Sequence, residues 1–99
     1  MRIIKEYVEH IEEEIDGAKE YAEKYVECKV KGNITVANQY KDMANDELRH
    51  ATNIHEWAVK EIEEIKKVYT APALMLEKWD AAHREYVEKV AWIKQMLAM

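Results

Sequence analysis

Apolar residues recur every three or four positions through three stretches of the chain, and helix-breaking residues fill the two intervals between them. In the first stretch, from about residue 3 to residue 31, the inward set is Ile4, Tyr7/Val8, Ile11, Glu14/Ile15, Ala18, Tyr21/Ala22, Tyr25 and Cys28. That period predicts an amphipathic helix. Gly32 and Asn33 then read as a stop followed by a start: glycine takes left-handed dihedrals at a helix end, and asparagine accepts from the free amides of the next helix. The second stretch, residues 34 to 68, has the stripe Ala37, Tyr40, Met43/Ala44, Glu47, His50/Ala51, Ile54, Trp57/Ala58, Glu61 and Ile65. Thr70-Ala71-Pro72 is the second break, with Thr70 as a cap and Pro72 tolerated in a first turn. The third stretch, residues 73 to about 97, repeats Leu76, Trp79, His83, Tyr86, Val90, Ile93 and Leu97. Linkers this short make consecutive helices antiparallel neighbours. The expected fold is all-α: a long antiparallel helical hairpin plus a third helix.

Composition narrows the picture without changing it. Ninety-nine residues make one domain, residues 1–99, near the lower end for a self-sufficient core. The two glycines, the single proline and the absence of phenylalanine against six tyrosines suit long helices with polar-tipped aromatics inside. A net charge of −5, with acidic and basic residues interleaved, argues against nucleic acid or an anionic membrane as partner. No long apolar run spans a membrane, and the N-terminus leads into a charged amphipathic pattern instead of a signal peptide. The lone Cys28 excludes an internal disulfide and leans toward a reducing, cytoplasmic setting. It has no histidine at matched spacing, so it is no candidate nucleophile.

Two carboxylates in apolar stripes change the picture. An unpaired charge is costly to bury, so Glu14 and Glu47 must be exposed, protonated, paired or bound to metal. Glu47-Leu48-Arg49-His50 places a carboxylate and an imidazole three residues apart on one helical face. A hairpin folded about Gly32 sets Glu14 opposite residues 48 to 51, within about a turn of both. Oxygen-rich ligation with one imidazole suits iron or manganese, with zinc as a competitor.

These residues resemble the ferritin-like superfamily, in particular its rubrerythrin and half-ferritin branches. The matching pieces are Glu14 with Tyr21 seven residues on, then Asp46-Glu47-Leu48-Arg49-His50-Ala51, and the interval between Glu14 and Glu47. The similarity covers roughly residues 8–58. It implies that Glu14 is a terminal ligand, Glu47 a metal-bridging ligand, His50 the imidazole ligand and Tyr21 a tyrosine beside the site. It also implies a di-iron centre that oxidises Fe(II) with dioxygen or peroxide, with no catalytic residue beyond the ligands themselves. A complete domain of that family supplies four Glu and two His from four helices. This chain holds half of that set, and its third helix carries no Glu-x-x-His. Two copies about a two-fold axis supply the rest, giving a four-helix metal-binding core completed by dimerisation, with two Fe ions (or Mn or Zn) per dimer. A homodimer or higher even-numbered homo-oligomer is therefore expected. The sequence has no Cys-x-x-Cys pair, so the iron module of full-length rubrerythrins is missing. Electron delivery or mineral storage would then need a separate donor or an enclosing compartment.

The remaining candidates are lesser. Asp80 and His83 stand three residues apart, and hairpin geometry brings them near Glu61, as a hydrogen-bonded core pair or an accessory cation site. That site lies well over 10 Å along the bundle from Glu47, at about 1.5 Å per residue. Tyr21 and Tyr40 are core aromatics able to orient a ligating carboxylate, and His10, one turn before Glu14, lies at the approach to the site or on the surface. His55 faces away from the main stripe and is expected on the surface. Gly17, costly inside a helix, fits a close helix approach near the dimer axis. The rival function is a non-enzymatic helical dimerisation or interaction module, with or without a structural metal.

Overall fold

The computed structural model describes residues 2–68 and 73–99, which form three helices: α1, Arg2–Val30; α2, Ile34–Val68; and α3, Ala73–Leu97. The break at Thr70-Ala71-Pro72 lies outside the described residues. At the first break the expected chemistry is in place. Gly32 has φ 82°, its amide donates to the Lys29 carbonyl at 3.0 Å, and the Asn33 amide donates to Cys28 at 2.9 Å. This pair of bonds closes α1 with a Schellman turn. Asn33 Oδ1 then accepts from the Val36 amide at 3.3 Å and starts α2.

The hairpin is held by two lines of side chains at seven-residue spacing. On α1 the line is Ile4, Ile11, Ala18 and Tyr25; on α2 it is Ala37, Ala44, Ala51, Ala58 and Ile65, and all of these are buried. A seven-residue repeat keeps one seam of each helix facing its neighbour. Alanine along the α2 seam lets the two backbones approach closely.

Each helix has a flank on either side of this seam, and the two flanks have different fates. One faces α3, through Val8, Ile15 and Ala22 of α1 and Leu48, His55 and Ile62 of α2. Ile93, Met96 and Leu97 of α3 join the main core with Ile11, Ile15 and Leu48, while Met75 closes a smaller cluster with Ile4, Ile62 and Ile65. α3 lies mainly along α1, where Lys89 reaches Asp16 at 3.9 Å and Lys29 donates to the Met99 carbonyl. It touches α2 through side chains, Tyr86 to Thr52 and His83 to His55.

The other flank carries Tyr7, Glu14, Tyr21 and Cys28 on α1 and Tyr40, Glu47, Ile54 and Glu61 on α2. All are half-buried except Ile54, which is buried. The groove along this flank is lined by α1 and α2 residues alone. Trp57, expected inside, projects from its rim with 56% of its surface exposed, and Met43 is also exposed. The expected α2 stripe followed the seam and this open flank. It passed over Leu48 and Ile62, which are buried because α3 packs from the other side.

The result is a rod of 55 × 17 × 17 Å with an accessible surface of 6746 Å². A compact monomer of 11.7 kDa would expose about 5900 Å². Among the described residues, no helix is long and apolar enough to cross a membrane.

Candidate metal centre

Glu14 stands midway along α1, and Glu47 and His50 stand one turn apart on α2, all on the open flank. Glu14, Glu47 and His50 each offer a ligand atom within 4.8 Å of the other two, and this is the group of three such side chains found among the described residues. His50 Nδ1 is 3.5 Å from Glu14 Oε2. The register follows from the tight turn at Gly32, which brings the middle of α1 beside this part of α2. One ion bound at about 2.0–2.2 Å from each atom would draw them to roughly 3 Å apart. Rotation about the glutamate side-chain torsions covers that difference, so the donor set fits a metal.

The setting is half wet. Glu14 keeps 22% of its side-chain surface exposed and His50 48%. They open into a groove of about 280 Å³ together with Tyr7, His10, Asn53, Ile54 and Trp57. The Glu47 carboxyl is held above the ordinary carboxylate range. A hydrogen bond with Glu14 is the main cause, followed by desolvation and the Glu14 charge, while His50 pulls the other way. The Glu14 carboxylate beside it disfavours the ionised form of Glu47 when no cation is present. A metal ion relieves the same repulsion.

Gly17 explains how Glu47 fits. A Cβ at this position would lie 3.3 Å from Glu47 Oε2 and 3.6 Å from its carboxyl carbon. The missing side chain clears a slot for the Glu47 carboxylate of the same chain. Within the single chain the close approach at Gly17 is between α1 and the Glu47 side chain of α2.

The neighbouring candidates fall in different places. Tyr21 and Tyr40 stack across the hairpin on the open flank, with ring centroids 6.2 Å apart. His10 is exposed on the groove rim. Glu61 is half-buried and Asp80 exposed, and among the described residues neither belongs to a converging three-ligand group. His83, expected in the inner stripe of α3, is exposed, and its Nδ1 meets His55 Nε2 at 2.8 Å instead of Glu61. His55, expected on the surface, is half-buried in a stack with Trp79, His83 and Tyr86. The overlooked signal was the spacing Leu48, His55, Ile62: a second seven-residue line, which a helix needs when neighbours pack on two sides. Comparison with protein-family models, curated proteins and solved structures gives no match to this chain.

Proposed function

We propose that this chain is a ferritin-like di-metal carboxylate protein whose centre is completed by a second copy, and that it acts on iron as a ferroxidase. The observation that carries the reading is the convergence of Glu14, Glu47 and His50 on the one flank of the hairpin that α3 leaves open. A second hairpin laid along that flank would bring an equivalent Glu, Glu and His to the first set. It would also cover Trp57 and Met43, whose exposure in the single chain gives that face apolar area to bury.

Two carboxylates and one imidazole per chain suit ferrous iron, and also manganese or zinc. Glu47, seated against Gly17 and beside Glu14, would bridge two ions, while Glu14 and His50 would each bind one. Iron bound there would supply the oxidation of Fe(II) by dioxygen or peroxide. The chain's own part would be to neutralise the cations and hold their separation.

The deciding experiment is anaerobic Fe(II) titration of the purified chain with mass determination, followed by admission of oxygen. Two irons per dimer and an absorbance that grows on oxidation support the proposal. Absence of binding, or full binding by a monomer, would end it. The alternative is a metal-free dimerisation module, which the exposed Trp57 and Met43 on the same flank also favour. In that case Glu14→Gln leaves dimerisation unchanged and no iron is taken up.

A further inference from the structure

On the side of the hairpin away from Glu14, Glu47 and His50, α2 and α3 meet in a stack of rings. His55 lies over Tyr86 with centroids 4.8 Å apart and planes 7° apart, and over Trp79 at 5.4 Å and 26°. Its Nε2 is 2.8 Å from Nδ1 of His83. One turn earlier on α2, the Thr52 and Tyr86 hydroxyls share a hydrogen bond at 3.2 Å. The rings roof a cavity of about 20 Å³ against Val8, Ile11 and Ile15, with Glu12, Glu85 and Lys89 at its edge. That is room for about one water.

An N–H···N bond between two neutral imidazoles satisfies both nitrogens, yet each ring can offer a lone pair there once the donor ring changes tautomer. Burial first, and the nearby His83 second, hold the His55 pKa below its ordinary value, against a smaller upward pull from Glu56. Two nitrogens bound to one ion at about 2.0 Å stand about 2.8 Å apart along a square-planar edge and about 3.3 Å apart in a tetrahedron. The observed separation equals the first and lies half an ångström short of the second. Stacking on Tyr86 and Trp79 fixes the His55 ring plane, as outer contacts fix a ligating imidazole.

We propose that His55 and His83 form a bis-imidazole site for a borderline divalent cation, Cu(II) or Zn(II), that staples α3 to α2. It differs in chemistry from the carboxylate cluster, so the two flanks of one hairpin would select different metals. It stands independently of the iron reading. Its consequence is mechanical: α3 rests mainly on α1, and the ion adds a direct tie to α2.

The test uses the full chain carrying Glu14→Gln and His50→Gln, which silences the carboxylate cluster, titrated with Cu(II) and then Zn(II). The expected result is about one Cu(II) per chain, with an electron paramagnetic resonance pattern from two imidazole nitrogens, and displacement of bound Zn(II) by Cu(II) when the order of addition is reversed. Zn(II) at 100 times its Kd should shift the unfolding equilibrium about 100-fold. His83→Gln should abolish both effects. Unsaturable binding, a one-nitrogen spectrum, or affinity unchanged by His83→Gln would overturn the proposal. Should either variant fail to fold, the nitrogen count at a saturating Cu(II) equivalent in the unaltered chain, compared with His55→Gln, decides it. None of these outcomes bears on Fe(II) uptake.

Discussion

In the metal-free fold Glu47 and Glu14 face each other across the hairpin, and the arrangement costs stability once both are ionised. The folded pKa of Glu47 is raised above its ordinary value of 4.5, so the fold holds this proton more tightly than the unfolded chain does. Its favourable contribution is therefore complete below that ordinary value, and is lost as pH rises through the higher folded value. At neutral pH the ionised pair opposes folding. Glu47→Gln should accordingly raise the melting temperature of the metal-free protein at pH 7, and should flatten the decline in stability as pH rises from the ordinary value of 4.5 to 7. With saturating metal the order reverses, because the variant lacks the ligand that the ion uses. Thermal melts with chelator and with metal, at both pH values, read the two signs. A variant less stable than the parent in chelator would show that Glu47 is held by contacts other than this strained pair.

At the scale of the helices, Gly17 sets intrinsic helix stability against space for a ligand. Glycine inside a helix costs about 1 kcal/mol relative to alanine, and α1 carries it at mid-length. A Cβ there would meet the Glu47 carboxylate at 3.3 Å, a contact that a flexible side chain relieves by moving. Gly17→Ala should thus stabilise the metal-free protein by up to about 1 kcal/mol. Displacing Glu47 should weaken metal binding by about 10-fold or more, as changes beside a ligand commonly do. Denaturant unfolding and metal titration measure the two effects separately, and unchanged affinity would remove Gly17 from the site. The element scale is also where the sequence was read most and least successfully. The bounds of α2 and α3, the Gly32-Asn33 turn and the meeting of Glu14 with Glu47 and His50 all follow from periodicity, capping and the fixed rise of a helix. The flank that α3 covers did not follow, because a helix packed on two sides carries two overlapping stripes. One stripe drawn through α2 took in Trp57 and Glu61 at the expense of Leu48, His55 and Ile62. His83 was misplaced for the same reason, since its partner was sought on the wrong flank.

For the whole molecule, shape and site point toward the same assembly. A rod 17 Å thick has little interior, and its surface exceeds that of a compact monomer of this mass by roughly 900 Å². A standard interface takes about 800 Å² from each partner. The open flank is where covering would matter most, since it holds the half-buried cluster, the groove and the exposed Trp57 ring. A charge at the rim should act against a two-fold partner without disturbing the seam or the α3 side. Trp57→Glu is therefore expected to leave the helical content and the hairpin intact while shifting the protein toward monomer, with dimer dissociation strengthened by at least about 30-fold, or roughly 2 kcal/mol, the scale of an aromatic anchor at an interface. Because the proposed centre draws ligands from both copies, Fe(II) affinity should fall with dimerisation although Trp57 itself binds no metal. Sedimentation across a concentration series, with and without Fe(II), tests the linkage, since bound metal should in turn favour the dimer. A Trp57→Glu monomer that binds iron as tightly as the parent would place the whole site within one chain.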